Sequence, residues 1–278
     1  MQAETLIINL IDWIKTYFEQ NGLNSPAVIG ISGGKDSTVA AMLCSLALGP
    51  ERVLGVLMPN GEQSDLEDAK RIVEILGIKS YTIIIGENYN SLQKEIENTG
   101  IQFNNIATIN TPPRLRMTTL YAIANTCHGR VINTSNASEK YIGYSTKYGD
   151  TAGDVSLFGN LYATEVIEIG KALINEDYCW IGALKEIESP DQILRFQKFK
   201  KELMIYITKE PADGLTGKTD KENLGFSYKE LDDSLTKSIS FLSPSIQNKI
   251  SSMHRAGLHK INPIPTYILP LKNKELYN

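Results

Sequence analysis

Cysteine, histidine and tryptophan are scarce in this chain: three, three and two among 278 residues. Cys44, Cys127 and Cys179 lie far apart and form no Cys-x-x-Cys pair. A disulfide framework is therefore not expected, and the thiols read as reduced ones of a cytoplasmic protein. His128, His254 and His259 lack zinc-ligand spacing. No apolar run approaches the length of a bilayer span, and the N-terminus lacks a charged-then-apolar leader, so no membrane partner is expected. A net charge of −4 gives no global basic footprint, which argues against nucleic acid as a partner. Internal repeats and low-complexity tracts are missing as well. What remains is the profile of a soluble globular protein, 42% hydrophobic and 22% charged.

The most informative stretch is residues 28–37, Val-Ile-Gly-Ile-Ser-Gly-Gly-Lys-Asp-Ser. Val28, Ile29 and Ile31 read as a buried parallel strand. Ser32-Gly33-Gly34 breaks it, and the apolar run after Thr38 predicts a helix starting near Asp36. Strand, glycine turn and helix N-terminus together form an anion site, because free N–H groups and the helix dipole face the turn. It is not a Walker A loop, since Asp36 stands where that loop needs a hydroxyl after Gly-Lys. An acid beside a phosphate cradle points to a metal bridging to the phosphates.

Around this motif, strands and helices alternate. An amphipathic helix is predicted over 3–20, a second strand over Arg52–Met58, and a helix capped by Ser64 that runs to Leu76. A third strand is expected at Tyr81–Ile85, a helix at 88–98, a loop at 99–111, and a helix opening at Pro112-Pro113. Val131-Ile132 reads as a fourth strand, with Asn133–Glu139 as its polar end and 140–162 as a long loop. Helices follow at Thr164–Ile174, Gln192–Ile207, Tyr228–Ser240 and Ser245–His254, with a turn-rich loop at Pro211–Asn223 and no clear element from Asn262. The alternation predicts an α/β fold, a doubly wound parallel sheet with helices on both faces. Ligands would sit at the carboxyl ends of the strands, where residues 32–37 lie.

Ser-Gly-Gly-x-Asp-Ser resembles the pyrophosphate loop of the ATP pyrophosphatase superfamily, whose members cleave ATP between the α and β phosphates. Further stretches narrow the resemblance: Arg-Leu-Arg-Met at 114–117 with Tyr121, Asn-Thr-Ser-Asn-Ala-Ser-Glu at 133–139, and Ser-Thr-Lys-Tyr-Gly-Asp at 145–150 with Asp154. Gly-Lys-Thr-Asp at 217–220 before Leu-Gly-Phe-Ser-Tyr, and His259-Lys260 before Pro263, complete the set. In this order the pieces resemble the ammonia-dependent NAD synthetases over nearly the whole chain. That resemblance implies ATP-dependent amidation of nicotinic acid adenine dinucleotide, in one synthetase domain spanning 1–278 without a glutaminase domain, and a homodimer. ATP would be held by Gly30, Ile31, Ser32, Gly33, Gly34, Lys35, Asp36, Ser37 and Thr134. Mg²⁺ would be held by Asp36 and Glu139. Arg114, Lys147, Asp154, His259 and Lys260 would contact the dinucleotide, and Asp150 would serve ammonia, since an ammonium ion wants an anionic pocket. Asp36, Lys35 and Asp150 are the catalytic candidates.

Departures from the family pattern stand beside these matches. Ala163 takes the place of a lysine, Ala212 that of a hydroxyl, and Ile261 that of a basic residue. Lys35 stands where the family often has glutamine, and it is a candidate replacement for the charge missing at Ala163. Arg116 on an amphipathic helix ranks second to Arg114. Two other readings stay open from sequence: an ATP pyrophosphatase adenylating a different acceptor, such as a tRNA-modifying enzyme, and a non-catalytic nucleotide-binding homologue.

Overall fold

The structure, a computed structural model, describes residues 3–61, 65–175, 190–212 and 218–266, excluding the side chains of 190–196 and 241. Its centre is a parallel sheet of order β3-β2-β1-β4-β5, made of β1 (Ala27–Gly30), β2 (Val53–Leu57), β3 (Lys79–Thr82), β4 (Arg130–Asn133) and β5 (Val155–Ser156). Register is set by Val28 opposite Leu54 on one side and opposite Val131 on the other. The order reverses at β1, between β2 and β4, and so creates a crevice at the strands' carboxyl ends.

One face of the sheet carries α1 (Ala3–Asn21), α2 (Lys35–Leu48), α3 (Asp65–Leu76), α7 (Ala163–Asn175) and α8 (Pro190–Thr208). Helix α2 is buried along Ser37–Ser45. A helix apolar on all sides must be enclosed, and α1, α7 and α8 enclose it. The other face is covered by α5 (Asn105–Cys127), whose Leu115, Leu120 and Ile123 pack on Val28, Val56 and Val131, and α4 (Gly86–Asn98) packs against α5. A third cluster joins α6 (Ala137–Ile142), α9 (Asp220–Leu224), α10 (Tyr228–Thr236) and α11 (Pro244–Ile261) through Ile142, Leu224, Phe226, Leu231 and Ile250.

Several boundaries differ from the sequence expectation. Helix α5 starts at Asn105, inside the expected loop, and Pro112 and Pro113 lie within it. The Asn104 side chain accepts from the Ala107 N–H at 2.9 Å and supplies the start that the prolines were expected to give. Strand β3 runs over Lys79–Thr82 rather than Tyr81–Ile85, although the Ile83 and Ile85 N–H groups still bond to the Leu57 and Pro59 carbonyls and Ile85 is buried. Of Asn133–Glu139 only Asn133 ends the strand: Asn136 caps α6 with a reciprocal Asn136/Glu139 capping box. The long loop expected over 140–162 contains the end of α6 and the short β5. Thr219 and Glu222 form another capping box, so 220–224 is helical rather than loop. Helix α10 stops at Thr236, and α11 runs on to Ile261. The Ser64 cap and the tail beyond 266 lie outside the described residues.

Candidate active site

The turn after β1 is built for an anion. Gly33 has φ +86°, and a Cβ there would stand 2.7 Å from the Asp65 carbonyl, so glycine is required. Gly34 precedes α2 with no side-chain cap, which leaves the first N–H groups of a 14-residue helix facing the crevice. Ser32 and Ser37 shape the loop: the Ser32 N–H donates to Ser37 Oγ at 3.2 Å, and the two hydroxyls lie 3.1 Å apart. Gly30 and Ile31 carry the chain out of the sheet, the Ile31 N–H still bonding to the Val56 carbonyl at 2.9 Å.

Asp36, on the first turn of α2, and Glu139, on α6, are brought to one place by Asn136. The Asn136 amide donates to Asp36 Oδ1 at 3.2 Å, while the Asn136 backbone N–H donates to Glu139 Oε2 at 3.3 Å. Burial, followed by the nearby Asp36 charge, pushes the Glu139 carboxyl well up. Among the described residues no group of three or more His, Cys, Asp or Glu could enclose a metal by itself. Two carboxylates facing a phosphate cradle do fit Mg²⁺, which uses one or two carboxylates plus substrate phosphates rather than an all-protein cage. Thr134 follows β4 directly and is half-buried at the same crevice.

The Lys35 side chain is withdrawn from solvent, and its amine bonds to Asp36 Oδ2 at 2.6 Å and lies 5.4 Å from the Tyr228 ring centroid. Ala163 is also buried, its N–H donating to Ser138 Oγ at 2.9 Å. Ser138 in turn donates to Asp232, which also accepts from the Thr164 N–H and hydroxyl.

The loop 143–151 gathers most of the second group of residues. Pro113 on α5 lies so close to Gly149 that a Cβ there would stand 2.9 Å from the Pro113 Cβ, and the Thr146 hydroxyl bonds to Asn110 Oδ1 at 2.7 Å. Arg114 Nε donates to the Lys147 carbonyl at 3.2 Å. Lys147 Nζ donates to the His259 carbonyl at 2.7 Å, and Lys260 Nζ to the carbonyls of Gly143 and Ser145, each at 2.7 Å. The last turn of α11 reaches this loop because Gly143 and Gly257 cross at backbone contact: a Cβ on Gly257 would stand 2.7 Å from Gly143 Cα.

Asp150 closes the loop. Its Oδ1 accepts from the Thr146 N–H at 2.8 Å, and its carbonyl accepts from Asn133 Nδ2 and Ser135 Oγ. The carboxyl keeps an open edge but is otherwise walled in by protein, which pushes it above the ordinary aspartate range against the opposing pull of Thr146 and Lys260. Arg116 donates from Nε to the Met58 carbonyl at 3.1 Å and also feels the Asp150 charge. Asp154 stands apart from this group. It accepts from the Val131 N–H at 2.8 Å and the Tyr121 hydroxyl at 3.3 Å, and its carbonyl accepts from the Tyr17 hydroxyl.

Three residues were not singled out by sequence reasoning: Asn136, Asp220 and Tyr228. Tyr228 donates to Asp220 Oδ2 at 3.0 Å beneath the Lys35 amine. The capping-box spacing from Asn136 to Glu139 was the available signal for the first. Asp220 and Tyr228 carried none beyond their place in quoted motifs.

Residues 6–263 match the profile of the family described as NAD synthase. The chain belongs to the NAD synthase family. A curated member, the NH(3)-dependent NAD(+) synthetase of Finegoldia magna, is 36% identical over 237 residues, covering 84% of this chain and 85% of the relative. Among solved structures, the NMN synthetase of Francisella tularensis superposes with a TM-score of 0.78 at 29% identity, covering 97% of this chain and 100% of that one. The NH3-dependent NAD synthetase of Campylobacter jejuni gives a TM-score of 0.69 at 25% identity with the same coverage. The parallel α/β sheet with helices on both faces is the fold of these NAD synthases.

Proposed function

We propose that the protein is a ligase that amidates nicotinic acid adenine dinucleotide with ammonia, converting ATP to AMP and pyrophosphate. The observation that carries this reading is the joining of Asp36 and Glu139 by Asn136 beside an uncapped helix N-terminus, in a chain of the NAD synthase family. The nicotinate carboxylate attacks the α-phosphorus of ATP, and the bond to the β-phosphate breaks. Pyrophosphate is received by the N–H groups of α2 with Ser32, Gly33, Gly34 and Ser37. Fixed dipoles at that position stabilise the charge that develops on the leaving group without reorganisation. Asp36 and Glu139 would hold Mg²⁺, whose charge offsets that of the phosphates when it is bound. Thr134 completes the nucleotide mouth.

Arg114, Lys147, His259 and Lys260 line the acceptor side, while Asp154 orders the β4–β5 edge. Ammonia attacks the acyl carbon and AMP leaves. Asp150, with its raised carboxyl beside Arg116 and Lys260, is the group suited to take a proton from ammonium. No step calls on Ala163, Ala212 or Ile261.

A second reading has the same chemistry on the mononucleotide. Near end-to-end likeness to the Francisella tularensis NMN synthetase favours it. Purified protein with ATP, Mg²⁺ and ammonium, offered nicotinic acid adenine dinucleotide or nicotinic acid mononucleotide, tests both. The first reading expects AMP and NAD in equal amounts and a kcat/KM favouring the dinucleotide. The reverse preference selects the second, and AMP without either amide counts against both.

A single domain, a cytoplasmic setting and a homodimer belong to the same reading. Exposed Ile83, Ile84, Ile106 and Ile109 support self-association, and light scattering showing a monomer at micromolar concentration would oppose it. Among the described residues no helix is long and apolar enough to cross a membrane.

A further inference from the structure

Lysine in a phosphate-binding turn normally reaches outward as a point charge on phosphate oxygens. Lys35 does the opposite. It is 4% exposed, with its amine 2.6 Å from Asp36 Oδ2 and over the Tyr228 ring. The other Asp36 oxygen takes the Asn136 amide at 3.2 Å. Glu139 and Asp220 add their charges from α6 and α9. The 2.6 Å ion pair with Asp36 holds the amine in this cluster as a cation. The buried cation thus bonds directly to one of the two carboxylates suited to a divalent metal.

We propose that Lys35 is a built-in counter-cation for Asp36 and Glu139, so that a divalent cation binds only together with nucleotide phosphates and not to the protein alone. The inference rests on the Mg²⁺–ATP reading above. A free divalent ion entering the site meets a positive charge in a low-dielectric surrounding. It finds two carboxylates, one already bonded to that charge, and among the described residues no third partner that would close a cage. Removing one charge of an exposed pair would matter little, but here the lysine has few solvent molecules to screen it. Phosphate oxygens arriving with the metal supply the missing negative ligands and tip the balance.

Mn²⁺ binding, measured by electron paramagnetic resonance without nucleotide and with α,β-methylene ATP, tests this on the full chain. The wild-type protein should hold Mn²⁺ only when the nucleotide is present. Lys35→Gln and Lys35→Met should bind free Mn²⁺ tighter by on the order of tenfold or more, and Lys35→Arg should not. Adding Asp36→Asn to Lys35→Met should abolish the gain. Near-UV circular dichroism identifies variants that have lost the fold. Should both neutral variants do so, wild-type binding decides: free Mn²⁺ held as tightly as with nucleotide overturns the proposal. Nucleotide-dependent binding in the wild type with no gain in folded neutral variants overturns the role of Lys35 alone. No Mn²⁺ binding with or without nucleotide overturns the metal–nucleotide reading and this inference together.

Discussion

The glycine turn at 30–37 and the loop at 143–151 both use positive groups, but they use them differently. At the turn the positive potential comes from backbone: unpaired N–H groups at the start of α2, with the nearby lysine withdrawn into the protein. At the loop it comes from side chains, and each is engaged in fastening. Lys147 ties the loop to α11, Lys260 ties α11 to the loop, and Arg114 ties α5 to the loop. The N–H cradle of the first region is therefore formed by local geometry, and Asn136 and Glu139 are brought to it from α6. The second exists only when three distant segments are docked. The N–H cradle should be indifferent to changes in α11, while the acceptor end should respond to any mutation that loosens α11.

That contrast can be broken at graded points. Asp36→Asn removes a carboxylate from the turn itself and should slow AMP formation about 10²–10³-fold with every acceptor, read by AMP release under saturating ATP. Gly257→Val forces a side chain into the Gly143 backbone, where even a Cβ would lie at 2.7 Å. It should cost about 1–3 kcal/mol in a denaturant titration, and in the surviving folded protein the acceptor KM should rise while the ATP KM holds. Lys260→Met removes two charge-assisted bonds to carbonyls; an acceptor KM higher by about tenfold with unchanged ATP KM is expected. Equal effects on both substrates would mean that the two regions are not separable. The smallest effect should come from Asn104→Ala, which deletes the cap of α5 for about 1 kcal/mol of stability and leaves kcat nearly untouched.

How much was legible beforehand follows the same divide. Helix α1 announced itself by its apolar period and α3 by its capping pattern, and α7 was placed within a residue of its observed ends. The turn at 32–37 was readable because strand, glycines, acid and hydroxyl follow one another in sequence. Helix α5 was misplaced because two prolines are the loudest local signal, and a single capping asparagine upstream outweighed them. The Gly143–Gly257 crossing had no sequence signature, since a close approach between distant segments leaves no local pattern. The residues of the acceptor side were nameable through family resemblance, but their attachment to backbone carbonyls was not. Lys35 shows the limit most clearly: its position suggested phosphate, and only the placing of Asp36 and of the buried Asp220–Tyr228 pair around it holds the amine inside.

The central claim is that the acceptor's own carboxylate attacks the α-phosphorus of ATP. Acceptor labelled with ¹⁸O in its nicotinate carboxylate, incubated with the protein, ATP, Mg²⁺ and ammonium, tests this by mass spectrometry of the products. The account predicts one labelled oxygen in AMP and none in pyrophosphate. Label in the pyrophosphate, or AMP formed without label, would contradict it.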